Sequence, residues 1–161
     1  MKRSRKKYEK PVKHWDKARI EKDREMMKKY GLSTKKEIWK AEGSLRKYRR
    51  IARELAATKD KEKEKMLIDK LVRLGLLEPN AKLDDVLGLN VENFLERRLQ
   101  TIVFKKGLAR SAKHARQMIV HGHVKINERS VVYPSYFVSP EEESKIEVTT
   151  TEKPKVVVNE G

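Results

Sequence analysis

The chain contains no cysteine in its 161 residues. That absence excludes disulfides, a thiol nucleophile and every Cys-ligated zinc or iron–sulfur site. Aromatic residues are scarce at 6% and hydrophobic residues reach only 37%, so the apolar core must be modest. No apolar run approaches the roughly 18 residues that a membrane-spanning helix needs. The segment Met1–Tyr8 is basic, with no apolar stretch behind it, and does not read as a secretory signal. Four histidines, His14, His114, His121 and His123, are too few and too scattered to suggest a metal centre. What the chain has in excess is positive charge, with 40 Lys+Arg against 24 Asp+Glu and a net charge of +16. The expectation is a soluble cytosolic protein whose partner is a polyanion.

The charge is gathered in blocks. Residues 1–65 hold 25 basic and 11 acidic residues, and residues 93–138 hold 9 and 2. Between them, residues 66–92 hold 3 and 5, and the end of the chain, 139–161, holds 3 and 6. Two separated basic blocks predict two surfaces that contact phosphates.

Punctuation and periodicity organise the chain. Residues 1–14 lack hydrophobic periodicity and read as an extended basic arm that orders on a partner, with Lys2, Arg3, Arg5, Lys6 and Lys7 as its cations. Asp16 and Gly31 bracket a helix ending at Tyr30. Thr34 and Glu37 fit a capping box ahead of a helix running to about Ala57, with Gly43 weakening its middle. Asp60 opens a third helix that ends at Gly75, and Leu83–Leu87 reads as one helical turn. From Asn90 a single helix is predicted to Gly107, then a second from Ser111 to Gly122. Val124, Ile126, Val131 and Val132 suggest short strands around a turn at Asn127–Arg129, with further strand candidates at 136–138 and 145–148. The fold class expected is α+β: a mainly helical region over 15–92, a compact unit of two short helices on a small sheet over 93–148, and an acidic flexible tail over 149–161.

Three constellations invite a functional reading. On the two short helices, Arg98 and Lys105 are seven apart, which places them on one helix face. Lys106 ends that helix, Arg110 precedes the Ser111 cap, and Lys113 and Arg116 follow it. Basic side chains around a helix start suit a phosphate, and only Glu96 and Glu128 balance them between 93 and 138. In the second constellation, Arg46, Lys47, Arg49, Arg50 and Arg53 surround the Leu45/Tyr48/Ala52 stripe, and arginine can both chelate phosphate and stack on bases. The third, His121-Gly-His123, lacks further ligands; His121 reads as a polar helix end near a phosphate. Trp39 fits a core position, whereas Tyr8 and Trp15 lie in or beside the arm. No Walker loop, dinucleotide fingerprint, zincin motif or nucleophile elbow is present, and Glu141–Glu143 reads as a surface loop. No catalytic residue, metal, cofactor or small-molecule substrate is expected. On these residues alone, a DNA-binding helix-turn-helix protein and an accessory RNA-binding module both stay open.

The segments Arg97-Arg-Leu-Gln-Thr-Ile-Val-Phe-Lys-Lys-Gly-Leu-Ala-Arg-Ser111 and Ala115-Arg-Gln-Met-Ile-Val-His-Gly-His-Val-Lys-Ile-Asn127, continued by 134–138, resemble the S-four RNA-binding domain, or alpha-L motif. With Lys36–Ala41, Phe94–Arg98 and the basic start, the chain resembles the archaeal type of the small-subunit ribosomal protein S-four family. The resemblance implies a non-enzymatic, cytoplasmic constituent of the small subunit. It implies direct binding to 16S-type rRNA, early assembly of the subunit body, a place beside ribosomal protein S-five, and an influence on translational accuracy. By motif match it places Arg98, Lys105, Arg110, Ser111, Arg116 and Gln117 on RNA, with His121, Lys125 and Asn127 as weaker matches. The alternative left by the same domain is a stand-alone S-four-domain RNA binder. Glu128 stands where relatives commonly carry the glycine of a tight turn, and the N-terminal zinc-binding cysteines of some bacterial relatives have no counterpart here.

Overall fold

The computed structural model describes residues 8–13 and 15–149. Helix α1 spans Lys17–Tyr30 and stops where Gly31 turns left-handed at φ 59°, its N–H donating to the Met27 carbonyl. Helix α2, Lys35–Thr58, is the long strut of the molecule. Its buried residues Ile38, Leu45, Ala52 and Leu55 keep the spacing of one face, and packing along that face carries the helix through Gly43. The capping box expected at Thr34 is not formed: its side chain makes no cap bond, and Glu37 accepts instead from Ser33 N–H at 3.3 Å. Helix α3, Lys61–Arg73, begins at Asp60, whose carboxylate accepts from Lys63 N–H at 3.3 Å. The turn α4, Leu83–Gly88, follows the loop after α3.

The single helix expected between Asn90 and Gly107 is two helices, α5 over Val91–Glu96 and α6 over Leu99–Lys105. The break at Arg97–Arg98 has a distant cause. Segment 136–138 runs alongside it, so that Leu99 N–H donates to the Tyr136 carbonyl at 2.8 Å and Val138 N–H to the Arg97 carbonyl at 3.1 Å. These bonds, and an isolated antiparallel bridge between Arg98 and Phe137, replace helical ones. Segment 136–138 is accordingly not the independent strand its apolar residues suggested.

Helix α7, Ala112–Val120, is followed by β1 (Val124–Ile126), β2 (Arg129–Ser130), α8 (Pro140–Glu143) and β3 (Ile146–Val148). The sheet is antiparallel in the order β2-β1-β3. Val131 and Val132 fall just beyond β2. The Glu141–Glu143 segment is helical rather than a loop: the Ser139 hydroxyl accepts from Glu142 N–H at 3.3 Å, and Ser139 N–H donates to the Glu142 carboxylate at 3.1 Å. The β1–β2 hairpin turns through Asn127 at φ 49° and Glu128 at φ 66°, the primed geometry that matches strand twist, formed here without glycine.

Apolar side chains gather in three adjoining clusters. One joins α6, α7 and the sheet through Leu99, Ile102, Met118, Ile119, Val124 and Ile146. A second packs α2 on α3, α4 and α5 through Leu45, Leu71, Val86 and Phe94. A third, of Tyr30, Leu32, Ile38 and Leu95, ties α1 and α2 to α5. The architecture is thus a mainly helical first part followed by a small α+β unit.

Candidate nucleic-acid interface

Helix α7 divides cleanly into two faces. Ala112, Ala115, Met118 and Ile119 are buried against α6 and the sheet. Arg110, Lys113, Gln117 and His121, spaced three, four and four residues apart, are exposed on the opposite side. Ser111 sets the helix start by accepting from His114 N–H at 3.1 Å, and no acidic residue occupies the first turn. Unopposed amides and two cations therefore converge at one end of an exposed stripe, the arrangement that attracts phosphate. Arg110 and Lys113 form no ion pair with another described residue. Lys105 faces Glu96 at 3.0 Å, and Lys106 donates to the Glu143 carbonyl. Lys125 lies on the outer face of β1, in register with Ser130 and Glu147, and Asn127 stands at the hairpin tip. The rings of His121 and His123 lie 6.3 Å apart and nearly parallel.

Arg98 is placed otherwise than its sequence spacing suggested. It precedes α6 rather than riding on it, so it shares no helix face with Lys105. Its side chain is only 8% exposed and its Nη2 lies 2.6 Å from Glu37 of α2. Arg116 reaches the same carboxylate at 3.1 Å and is 30% exposed. Burial works against the Glu37 charge, but the hydrogen bonds and charges of Arg116 and Arg98 outweigh it and hold the carboxyl below its ordinary value. Arg98 is thus a buried ion-pair partner, not an open contact, and Arg116 is shared between that pair and the surface.

Gln100, which the sequence did not single out, completes this junction. Nearly fully buried, it shares the two N–H donors of Nε2 among the carbonyls of Tyr30, Gly31 and Ala112 at 2.9–3.0 Å and accepts from Arg116 at 3.3 Å. The pair Gln100-Thr101, polar among the apolar Leu99, Ile102 and Val103, was the available signal. Above the junction opens a groove of about 600 Å³, walled by Thr34, Lys40 and Ser44 of the helical part and by Pro134, Ser135 and Phe137.

The α2 cluster splits by partner. Arg49 is half-buried and donates to the Leu89 carbonyl at 2.6 Å, which makes it a packing residue. Arg46 pairs with Glu9 at 2.5 Å and lies 3.9 Å from Glu42, while Arg50 lies 3.5 Å from Glu54. Lys47 and Arg53 are exposed and form no ion pair with another described residue. Lys2, Arg3, Arg5, Lys6 and Lys7 lie outside the described residues.

Comparison with known proteins defines the class first. Residues 1–96 match the model of the ribosomal protein S4/S9 N-terminal domain, and residues 97–144 match that of the S4 domain. The two matches meet at the Arg97–Arg98 break. Small ribosomal subunit protein uS4 of Korarchaeum cryptofilum is 50% identical over 149 residues, covering 91% of this chain and 90% of the relative. That of Sulfurisphaera tokodaii is 51% identical over 154 residues, covering 93% and 87%, and that of Methanosphaera stadtmanae is 46% identical over 151 residues, covering 91% and 82%. The chain belongs to the uS4 family of small ribosomal subunit proteins. It is therefore a structural, non-enzymatic constituent of the small subunit in the cytoplasm, with an S4 domain at its C-terminal side.

Proposed function

We propose that this chain binds small-subunit 16S-type rRNA directly, and that the exposed α7 stripe of Arg110, Lys113, Gln117 and His121 is the centre of the contact. The observation that carries this is the combination of an unopposed helix start with two cations that form no ion pair among the described residues. Lys47 and Arg53 of α2 offer the second surface, and the two are held in fixed relation by the Glu37–Arg98–Arg116 junction. Side chains cannot read the deep groove of A-form RNA, so backbone shape, 2′-OH groups and unpaired bases carry recognition. The basic arm of residues 1–14 extends the surface in this reading. A protein that joins two RNA surfaces rigidly suits an early role in folding the subunit body, beside ribosomal protein S-five, and a contribution to decoding accuracy.

Equilibrium binding of the full chain to small-subunit rRNA tests the reading. The logarithm of the binding constant is expected to fall with log salt by roughly 0.7–0.9 per phosphate neutralised. Salt-independent affinity overturns it. Omission of the chain from a reconstitution, and cross-linking to the S-five protein, test assembly and neighbourhood separately.

A further inference from the structure

Both tryptophans of the chain lie in its first part, and their surroundings are opposite. Trp39 is half-buried in α2, with the Tyr8 ring 6.0 Å from its own. Trp15 is 90% exposed, and Val12, three residues earlier in the chain, is 94% exposed. An indole left in water is the largest apolar surface a single side chain can present.

Three features say what it faces. First, the exposed neighbours Lys10, Lys13 and Lys17 surround Trp15 in sequence, against the single nearby carboxylate Asp16. Glu9 is drawn away to Arg46 at 2.5 Å, so the local field is positive. Second, the segment is held on both sides. Tyr8 and Glu9 fix it to α2 through Trp39 and Arg46, and α1 begins two residues after Trp15. An indole whose flanking segments are anchored loses less freedom on binding than one on an unanchored arm. Third, the five cations of residues 2–7 precede it in sequence. An exposed ring interleaved with cations is the pattern of a stacking platform beside a phosphate track. A protein docking surface would be depleted in lysine at its centre.

We propose that Trp15 is a base-stacking residue: its indole receives one unpaired nucleobase of the small-subunit rRNA while Lys10, Lys13 and Lys17 hold the adjoining phosphates. This rests on the rRNA-binding reading above and adds to it a contact outside the S4 domain.

Binding of full-length small-subunit rRNA by the intact chain and by Trp15→Ala and Trp15→Phe is the test. Stacking predicts that Trp15→Ala loses roughly 5- to 150-fold in affinity. Trp15→Phe should remain within about threefold of the parent, because any aromatic face stacks. The slope of affinity against salt should stay unchanged in both, because no phosphate contact is removed. Emission from Trp15 in a Trp39→Phe background should be quenched by the rRNA. Parental affinity in Trp15→Ala, or equal losses in both variants, overturns the proposal while leaving rRNA binding intact. If the emission changes only when other small-subunit proteins are added, the indole docks on protein and the proposal falls. If the parent chain shows no salt-dependent rRNA binding, the wider reading fails, and this one with it.

Discussion

Glu37 of α2 and Arg98 at the start of α6 meet at 2.6 Å with 13% and 8% of their side chains exposed, sixty-one residues apart in sequence. Removing the carboxylate leaves two guanidinium groups facing one another in a semi-enclosed groove. Glu37→Gln is expected to destabilise the chain by about 2–3 kcal/mol, below the roughly 3–5 kcal/mol of a fully enclosed pair because the groove admits water. A urea midpoint shift at unchanged slope measures it. The pH dependence has a definite sign. The folded carboxyl is held below its ordinary value near 4.5, so its contribution is complete above that pH and is lost as pH falls through the folded value. Glu37→Gln should flatten the acid limb of the stability profile, and an unchanged acid limb contradicts the pairing.

Arg110 and Lys113 separate binding from stability. Arg110→Ala/Lys113→Ala should leave the melting temperature within about 4 °C of the parent, since each exposed substitution stays within roughly 0.5 kcal/mol. The same variant should lower the salt slope of rRNA binding by about 0.7–0.9 per cation removed. Arg116→Ala should instead weaken both properties, because Arg116 also bonds to Glu37 and Gln100. If Arg116→Ala leaves stability untouched, the junction is less coupled than its geometry implies.

Gly31 admits no side chain. Its φ of 59° disfavours one, and a Cβ there would lie 2.8 Å from the backbone carbon of Ala112. Gly31→Ala should therefore cost about 2–4 kcal/mol, the left-handed strain plus a forced separation of α1 from α7. Thermal unfolding measures it, and a loss under 1 kcal/mol would show the contact to be soft.

Glu128 offers a gain instead. It holds a φ of 66° at the β1–β2 turn without glycine's freedom and is exposed. Glu128→Gly should stabilise the chain by about 0.5–1 kcal/mol, read as a rise in melting temperature. A fall would mean that Glu128 makes a contact worth more than the strain it carries.

Tyr30 should titrate late. Burial, followed by its hydrogen bond to Glu92, pushes the phenol up to about 12. Its contribution to stability is complete below the ordinary value of 10 and is lost as pH rises toward 12. Phenolate absorbance should show a late-titrating component near pH 12 that is lost in Tyr30→Phe.

Local chemistry was legible in the sequence wherever local forces decide the outcome. Gly31 ends α1 because only glycine takes the left-handed region freely, and Ser111 caps α7 because a short hydroxyl reaches its own helix start. Both effects span three or four residues. The cations Arg110 and Lys113 at the start of α7 were visible for the same reason, whereas Gln117 came only with the motif resemblance, and Arg116, grouped with Lys113 by spacing, turns to Glu37. The α2 arginines were less legible, because Arg49 is drawn inward by a carbonyl forty residues away.

What the sequence determined by itself was the α+β class, most helix boundaries and the two basic blocks, set by composition and by interactions between near neighbours, together with the family, which the motif resemblance carried. The tertiary structure alone decided that the helix from Asn90 breaks at Arg97, that Arg98 is buried, and that Gln100 joins the two parts. Each of these depends on a partner distant in the chain: the backbone of 136–138, the carboxylate of Glu37, the carbonyls of Tyr30 and Gly31. Periodicity assigns a residue to a face of its own helix, but only the assembled chain determines what that face meets, and a charge turned toward an opposite charge is drawn out of water.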